Sequence, residues 1–541
     1  MEKIITSWFK GLCGFETVYS HQIEVAKSLQ NGKSVLLRAP TGSGKTEAVL
    51  VPFLHQFLEN KFYIAPRLIY VLPMRALVNT LAERVKRLAK KISPLISVKT
   101  QHGEVPDAPF FIADIVVTTL DQFIYGFARA SQQVGHHIDM PAGAIASSLV
   151  VFDEAHMYRD EFTFSIMRAV MEILYKSKIP FVVMTATMPE SLEKSLFENI
   201  EDYTRITGDN VIKSGLKIKI WDEPIYLNEE VNIDGELLEY IKKKKTLIVL
   251  NKVKTAQKVY EEIKNRLGLN ENQIVLLHSR FTKKDRAKHE KTALSLIPHK
   301  ENGEIKIPEG VGIVVSTQVL EAGIDFSAEV LLTEIAPADC LVQRAGRCAR
   351  YEGEKGQMIV FPIENGGFKP YEKEHIEKTL NWLKNNRNFN LKNFSEVSSF
   401  VNILDYQAND FEARDTLIDL YECVLYADTK PQNIQIRNSK PVSLVVVDFS
   451  IGEGRRKEDI IRSSIRKSAS TLRENSMDID FGVAWQLFMN GILKYKFKYD
   501  AESKNWDFEE IKEVQPFNMY IIEKINYDDN IGVKNDATYF I

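Results

Sequence analysis

The sequence predicts an α/β protein with two tandem, doubly wound parallel sheets, followed by a mixed α and β region. From Ser34, short apolar runs alternate with amphipathic helical patterns, which is typical of parallel sheets covered by helices on both faces. The same alternation restarts at Thr246, and it stops after Pro362. These three observations divide the chain into predicted domains at 1–222, 223–365 and 366–541.

Composition excludes several classes of protein. Of the 541 residues, 44% are hydrophobic and 26% are charged, and the net charge is -3. This balance excludes a globally basic nucleic-acid coat but not a local basic track, because binding depends on where the charge lies. The four cysteines form no C-x-x-C pair, which argues against a zinc ribbon or a redox motif. Without a signal peptide or an apolar run of about 18 residues, we expect a cytoplasmic protein with no membrane partner.

A glycine-rich loop joins the first predicted strand to a helix. APTGSGKT, residues 39–46, follows the apolar run SVLLR and fits the phosphate-loop pattern, except that Ala39 replaces its first glycine. The backbone N–H groups expected to wrap a phosphate belong to Thr41, Gly42, Ser43 and Gly44. Lys45 would reach the β- and γ-phosphates of ATP, and Thr46 would bind Mg²⁺. The alternative is a chance glycine-rich turn, but strand, loop and helix occur in the order that the motif needs.

An acidic pair ends a second apolar run, SLVVF. Asp153 and Glu154 follow Phe152 directly, and in open α/β sheets ligands bind at this carboxyl edge of the strands. We expect Asp153 to hold Mg²⁺ and Glu154 to orient or deprotonate the attacking water. Alone, such a pair would be read as a solvated loop. Beside a phosphate loop, it predicts a nucleotide hydrolase.

The second α/β unit contains no phosphate loop and no second Asp-Glu pair, so it is not expected to hydrolyse ATP alone. It ends in QRAGRCAR, residues 343–350, which carries three arginines. If the two units face each other, Arg347 and Arg350 can reach the γ-phosphate as arginine fingers. The alternative is a cluster of surface salt bridges, which the lack of Asp or Glu within the cluster disfavours.

In their order, these motifs resemble those of the superfamily 2 helicases. The set is YSHQ, APTGSGKT, PMRAL, TTLDQF, DEAH, TAT, STQVLEAGIDF and QRAGRCAR. The resemblance implies two RecA-like domains, with Gln22 reading adenine and Asp325 and Gln343 lying near ATP. It also implies contacts to the nucleic-acid backbone, which are independent of base sequence, from Arg75, Thr118, Thr119, Arg280 and Thr317.

Within that superfamily, YVLPMRALVNTLAERV, DEAHMYRDEF, LLHSRFTKKDR and QRAGRCAR are similar to the CRISPR-associated helicases of type I antiviral interference. The resemblance implies an ATP-driven 3′→5′ single-stranded DNA translocase that a guide-RNA surveillance complex recruits. Members commonly carry an N-terminal HD nuclease, whereas here the phosphate loop begins at Ala39 and no His-Asp dipeptide occurs. We therefore expect the split form, with the HD nuclease on a separate subunit.

The C-terminal third is less informative. It predicts helices in HIEKTLNWLKNN and EARDTLIDLYECVLYA, a strand in PVSLVVV and a strand pair in ILKYKFKYDAESKNWDFEEI. A basic stretch between Arg455 and Lys467 would lie along the DNA path or contact the surveillance complex. The alternative is a solvated helix face. Two rival functions remain at this stage. One is a DEAH-like RNA helicase, and the other is an ATP-gated clamp that binds nucleic acid without translocating.

Overall fold

The structure is a computed structural model. It describes residues 2–15, 17–103, 105–158, 161–208, 214–301, 304–321, 325–364, 367–386, 389–406, 441–448, 469–500, 505–516 and 518–534, with residues 415, 418, 419 and 422. The chain forms two compact units, residues 1–213 with 389–438, and residues 214–388 with 439–541. The basic stretch between Arg455 and Lys467, and most of EARDTLIDLYECVLYA, lie outside the described residues.

The first unit begins with two helices and continues as alternating strands and helices. Its strands are β1 Ser34–Arg38, β2 Arg67–Leu72, β3 Val98–His102, β4 Val105–Pro106, β5 Ile115–Thr119, β6 Ser148–Phe152, β7 Phe181–Thr185 and β8 Tyr203–Thr207. Its helices are α1 Glu2–Cys13, α2 Ser20–Gln30, α3 Lys45–Glu59, α4 Arg75–Ile92, α5 Leu120–Phe127, α6 Asp139–Ala146, α7 Glu161–Lys176 and α8 Glu190–Leu196. Helix α14, Phe394–Val401, belongs to the same unit.

The first sheet is parallel except at one edge. Its order is β4-β3-β5-β2-β6-β7-β1-β8, and only the short strand β4 pairs antiparallel. Side chains alternate between two cores, because successive strand residues point to opposite faces. Leu36 and Ile69 belong to one core, and Val35 and Leu68 to the other. Helices cover both faces, and the carboxyl ends of the parallel strands lie along one edge.

The second unit repeats this architecture with a smaller sheet. Its strands are β9 Gly215–Ile220, β10 Tyr226–Leu227, β11 Glu230–Val231, β12 Lys245–Val249, β13 Ile274–Leu277, β14 His299–Glu301, β15 Glu304–Lys306, β16 Gly312–Ser316, β17 Val330–Glu334 and β18 Lys355–Phe361. Its helices are α9 Gly235–Lys242, α10 Val253–Leu267, α11 Lys283–Leu296, α12 Ala338–Ala345 and α13 Lys373–Asn385. The six strands in the order β13-β16-β12-β17-β18-β9 are all parallel. The predicted pair of doubly wound parallel sheets is confirmed.

The C-terminal region adds a mixed five-stranded sheet to the second unit. Its elements are β19 Pro441–Val447, α15 Ala469–Glu474, β20 Ser476–Asp480, α16 Phe481–Met489, β21 Tyr495–Asp500, β22 Asn505–Glu510, β23 Met519–Glu523, β24 Tyr527–Asp528 and β25 Gly532–Val533. The sheet order is β20-β19-β23-β21-β22, and β21 and β22 form the predicted strand pair. Leu444 and Tyr520 of this sheet share one hydrophobic core with Ile248 and Ile313 of the parallel sheet.

The observed units differ from the predicted division at 222 and 365. Strand β9 pairs with β18 of the second sheet, so the second unit begins at Ser214. Residues 389–438 join the first unit, where Ser191 Oγ donates a hydrogen bond to the Leu404 carbonyl (3.3 Å). The shared core makes the C-terminal sheet part of the second unit, whereas an independent accessory domain stays a prediction. Among the described residues, none of the helices is both long and apolar enough to cross a membrane.

Candidate ATP site and nucleic-acid contacts

The glycine-rich loop has the backbone that the phosphate-loop pattern predicts. It connects β1 to α3, and Gly42 and Gly44 have φ angles of 84° and 75°. These left-handed values are accessible to glycine at no steric cost. A Cβ on Gly44 would also lie 2.4 Å from the Gln22 Nε2 atom. The position therefore requires glycine for two independent reasons.

The cationic and hydroxyl groups of the loop point inward. Lys45 is 7% exposed, and its Nζ donates to the carbonyls of Ala39 (2.9 Å) and Pro40 (3.0 Å). Ser43 is fully buried, and its Oγ has no hydrogen-bond partner among the described residues. Buried hydroxyls are normally satisfied, so an unpartnered one is consistent with a polar ligand. Thr41 is half-buried in the same loop.

Helix α2 holds the loop from the other side. Gln22 is buried; its Nε2 donates to the Gly44 carbonyl (3.2 Å), and its Oε1 accepts the Tyr19 N–H (3.1 Å). His21 Nε2 donates to the Ser43 carbonyl (3.0 Å). The predicted role of Gln22 in reading adenine stays a prediction, whereas its contact with the loop is observed. Sequence reasoning missed His21, although it lies beside Gln22 in YSHQ.

The two predicted magnesium ligands are joined by a residue that sequence reasoning missed. The Tyr70 hydroxyl donates to Asp153 Oδ2 (2.6 Å) and accepts a hydrogen bond from the Thr46 side chain. Tyr70 lies on β2, which pairs with β6 in a register that sets Tyr70 against Val151. The other Asp153 oxygen, Oδ1, accepts the Glu154 N–H (2.8 Å). Tyr70 itself looked like one more apolar strand residue, because its phenol is fully buried.

Burial dominates the electrostatics of Asp153. Burial first, and then the neighbouring Glu154, raise the pKa of this carboxyl to about 6, while Lys45 opposes the shift. Burial and then Asp153 raise the pKa of Tyr70, so the phenol stays protonated and acts as the donor. A cation beside Asp153 would favour its ionised form.

Glu154 is more exposed to solvent than Asp153. Its backbone is left-handed, with φ 53°, a conformation that is uncommon outside glycine and concentrates at functional sites. Its Oε2 atom is buried without a hydrogen-bond partner among the described residues, and His156 Nδ1 lies 3.6 Å from it. The Thr185 hydroxyl lies 3.4 Å from the same His156 nitrogen. The DEAH turn is therefore linked to the TAT strand through one imidazole.

These residues fit magnesium and ATP. The left-handed glycine loop, the unpartnered Ser43 hydroxyl and Lys45 suit a polyphosphate, and Thr46 with Asp153 offers oxygen ligands of the kind Mg²⁺ prefers. Bound MgATP would supply a phosphoanhydride bond as the source of free energy. The chain would supply a phosphate cradle, the metal ligands Thr46 and Asp153, and the Glu154 carboxylate.

In the second unit, Arg344 is a structural residue. It is 1% exposed and donates to Glu321 Oε1 (3.0 Å), the Glu334 carbonyl (3.0 Å) and Asn251 Oδ1 (3.0 Å). The Thr333 and Tyr371 hydroxyls complete its partners, at 2.8 Å and 2.9 Å. The anion that Arg344 pairs with is therefore the Glu321 carboxylate of the same unit.

The two predicted arginine fingers have weaker partners. Arg347 donates to the carbonyls of Leu320 and Glu321, each at 3.0 Å. Arg350 pairs with Asp325 at 2.7 Å, and that carboxylate is about half exposed. Asp325, predicted to contact ribose or Mg-ATP, therefore holds the finger in this structure. Gln343 is half-buried on α12. The catalytic roles of Arg347 and Arg350 stay predictions.

The predicted nucleic-acid contacts differ in accessibility. Arg75 is exposed at the start of α4. Thr118 is fully buried, and its hydroxyl donates to the Gln101 carbonyl (2.8 Å), so this residue joins β5 to β3, while its DNA contact stays a prediction. Thr119 and Thr317 are 4% and 2% exposed, which leaves little side-chain surface for a phosphate.

Arg280 has the environment expected of a phosphate ligand. Its Nη1 atom is buried and has no hydrogen-bond partner among the described residues. Burial lowers the pKa of this guanidinium to about 10, while the charge of Asp480 favours the protonated form. At neutral pH the group is charged, and a buried nitrogen of a charged group without a hydrogen bond is costly. An anion at this site would remove that cost.

Comparison with known families and structures agrees with this reading. Residues 19–195 match the DEAD/DEAH box helicase family, and residues 242–353 match the family described as CRISPR-associated nuclease/helicase Cas3, C-terminal. A CRISPR-associated helicase Cas3 of Thermoproteus tenax is 29% identical over 386 residues, which cover 68% of this chain and 62% of the relative. A putative CRISPR-associated nuclease/helicase Cas3 of Methanocaldococcus jannaschii is 29% identical over 397 residues, covering 66% and 51%.

The crystal structure of T. fusca Cas3-ADP superposes with a TM-score of 0.70 at 18% identity, and the match covers 97% of this chain and 69% of that one. The two parallel sheets and the DEAD/DEAH box match make the chain similar to the superfamily 2 helicases. Within that class, the matched C-terminal family and the curated relatives make the chain similar to the Cas3-type helicases. The chain spans between half and two thirds of the length of these two relatives.

Proposed function

We propose that this chain is an ATP-dependent helicase that translocates 3′→5′ on single-stranded DNA during CRISPR type I antiviral interference. The observation that carries the proposal is the Thr46–Tyr70–Asp153 connection beside the phosphate loop. This connection supports ATP hydrolysis, because Asp153 directly precedes Glu154, the residue proposed to orient water, and hydrolysis needs metal ligands beside such a residue. The assignment to CRISPR interference is supported by the relatives, which are CRISPR-associated by name.

The proposed division of labour follows from the contacts. Lys45, held by two loop carbonyls, exchanges them for phosphate oxygens. Glu154 orients water and accepts its proton at Oε2. Arg347 and Arg350 leave their carbonyl and carboxylate partners to stabilise the charge that develops on the γ-phosphate. Arg75 and Arg280 bind the DNA backbone.

The first test is ATP hydrolysis with Mg²⁺ in three mixtures: no nucleic acid, single-stranded DNA and single-stranded RNA. We expect strong stimulation by DNA alone. Stimulation by RNA alone would favour the DEAH-like RNA helicase instead. Glu154→Gln should lower turnover about 10²–10⁴-fold while ATP binding is retained, because general-base catalysis contributes on that scale. Retained turnover would contradict the role given to Glu154.

A strand-displacement assay separates a motor from an ATP-gated clamp. Duplexes with a 3′ or a 5′ single-stranded overhang are mixed with the protein and ATP. We expect release of the displaced strand from the 3′-overhang duplex alone. ATP-dependent binding without release would favour the clamp, and release from the 5′-overhang duplex would reverse the proposed polarity.

The proposed partners are a guide-RNA surveillance complex and a separate HD nuclease subunit, in the cytoplasm. This part of the proposal is supported by the relatives' printed names, one a helicase and the other a nuclease/helicase. The purified chain should leave single-stranded DNA intact in the presence of ATP and divalent metal. Cleavage by the purified chain that persists in variants of the ATP site would contradict the proposal that the nuclease is a separate subunit.

A further inference from the structure

A short hairpin far along the chain packs against the loop that carries Arg280. The hairpin is Tyr527–Val533, which contains strands β24 and β25, and the loop is 278–282, between β13 and α11. We propose that the 527–533 hairpin positions Arg280 for nucleic-acid binding. This inference rests on the proposed function, in which Arg280 binds the DNA backbone.

Backbone hydrogen bonds hold the peptide of Arg280 on both sides. The Val533 N–H donates to the Arg280 carbonyl (3.2 Å). The Arg280 N–H donates to His278 Nδ1 (3.1 Å), and His278 Nε2 donates to the Ile531 carbonyl (2.8 Å). The imidazole therefore connects the hairpin to the N–H side of Arg280, while Val533 holds its carbonyl side.

Gly532 allows the hairpin to approach this closely. Its φ is 84°, and a Cβ there would lie 2.6 Å from both the Arg280 carbonyl oxygen and His278 Cε1. A side chain would force the two backbones apart, because the first of these atoms belongs to the main chain. Gln257 of α10 anchors the hairpin, since its Nε2 donates to the carbonyls of Ile531 (2.8 Å) and Val533 (3.0 Å).

The Tyr527 hydroxyl fixes the other end of the loop. It accepts the Thr282 N–H (3.0 Å) and donates to Asp285 Oδ2 (2.6 Å). Thr282 caps helix α11 by accepting the Asp285 N–H (3.2 Å). The buried phenol thus connects the hairpin to Thr282, which caps α11 and lies two residues after Arg280. Tyr527 is 3% exposed, so its hydroxyl has no access to bulk water as an alternative partner.

The consequence concerns DNA affinity more than chemistry. Arg280 presents a buried guanidinium with an unpartnered Nη1, and the direction of that group follows the backbone that the hairpin holds. Loosening the hairpin should misplace this guanidinium and weaken DNA binding. The residues proposed for ATP chemistry lie on other elements of the chain, so turnover at saturating DNA should change little.

The test measures single-stranded DNA affinity by fluorescence anisotropy in low salt, with ATPase turnover at saturating DNA. The variants are Tyr527→Phe, Arg280→Ala and the double variant. The control, Tyr260→Phe, removes a phenol hydroxyl from α10 in the same hydrophobic core. Tyr527→Phe should weaken DNA binding about 3- to 10-fold, since a buried hydrogen bond contributes about that much. Turnover should stay within about twofold, and Tyr260→Phe should leave both unchanged.

The double variant identifies the route of the effect. If the hairpin acts through Arg280, Tyr527→Phe should add no further loss of affinity in the Arg280→Ala background. Additive losses, or weaker binding by Arg280→Ala but not by Tyr527→Phe, would overturn the positioning role and leave the proposed function standing. Unchanged binding by Arg280→Ala would overturn this inference, while DNA-stimulated ATP hydrolysis would still decide the proposed function separately.

Discussion

The two α/β units make the same strand-to-helix step in different ways. In the first unit, residues 39–44 separate β1 from α3 and include two left-handed glycines. In the second, residues 250–252 separate β12 from α10, which is too short a loop to wrap a phosphate. Asn251 fills that strand end, donating to the Ile335 carbonyl (2.9 Å) and accepting from Arg344. The same fold thus holds an anion site in one unit and an internal polar network in the other.

A second pair of positions shows what the units share. Thr118 at the end of β5 donates to the Gln101 carbonyl, and Ser316 at the end of β16 donates to the Leu277 carbonyl, both at 2.8 Å. In each unit the hydroxyl ties one strand end to its neighbour. Thr118 and Ser316 therefore stabilise their sheets in the same way, whereas the loops that follow β1 and β12 differ between the two units.

The largest effect expected from this comparison is catalytic. Arg350→Ala should lower DNA-stimulated turnover by about 10³–10⁵-fold, the range that an arginine finger supplies. ATP affinity should be nearly unchanged, because Arg350 is held in the second unit by Asp325 and not by the phosphate loop. Steady-state kinetics and nucleotide titration give the two values. Normal ATP turnover by this variant would favour the alternative interpretation, in which QRAGRCAR is a cluster of surface salt bridges.

Arg344→Ala should act on stability instead. It leaves the buried carboxylate of Glu321 without its cation, and breaking a buried pair costs about 3–5 kcal/mol. The free energy of unfolding in urea measures this cost. Arg350→Ala is the matched control and should lose less than about 1 kcal/mol, because its partner is half exposed. Equal losses would remove the distinction between the structural and the catalytic arginine.

Sequence reasoning predicted both parallel sheets and the phosphate loop, because alternating apolar periodicity and a glycine-rich loop are local signals. It also located Asp153 and Glu154, which directly follow a strand. It did not predict the buried partners of Arg344, because Glu321 and Asn251 are distant in the chain and no local signal connects them to this arginine. For the same reason it missed Tyr70 and the 527–533 hairpin, whose contacts join residues far apart in the chain.

Tyr70→Phe tests the connection between the two predicted metal ligands. The variant keeps the ring in the core but removes the hydroxyl that contacts Asp153 and Thr46. We expect about tenfold more Mg²⁺ to be needed for half-maximal ATP hydrolysis, since one charge-assisted hydrogen bond contributes about 1.5–3 kcal/mol. Excess Mg²⁺ should restore much of the turnover. An unchanged Mg²⁺ requirement would leave Tyr70 as a core residue alone.

The last prediction concerns the pH dependence of stability, which falls gradually over several pH units. Burial lowers the pKa of His278 from 6.5 to about 3, so the unfolded chain binds a proton that the folded chain excludes. The stability contribution of this group is therefore complete above pH 6.5 and is lost as the pH falls towards 3, by about 1.4 kcal/mol per unit. His278→Gln should flatten this part of the profile in urea unfolding between pH 7.5 and 5. An identical slope in the variant would assign the loss to other groups.

The central claim is that nucleotide binds through the phosphate loop of the first unit. The corresponding strand-to-helix step of the second unit, residues 250–252, forms no such loop. Calorimetric titration with ATP and Mg²⁺ tests it on three proteins: the wild type, Lys45→Ala, and Lys252→Ala. Lys252 is the exposed lysine at the corresponding strand-to-helix step of the second unit. The account predicts one site per chain, which is lost in Lys45→Ala and kept in Lys252→Ala. Binding that survives Lys45→Ala, or that disappears in Lys252→Ala, would contradict it.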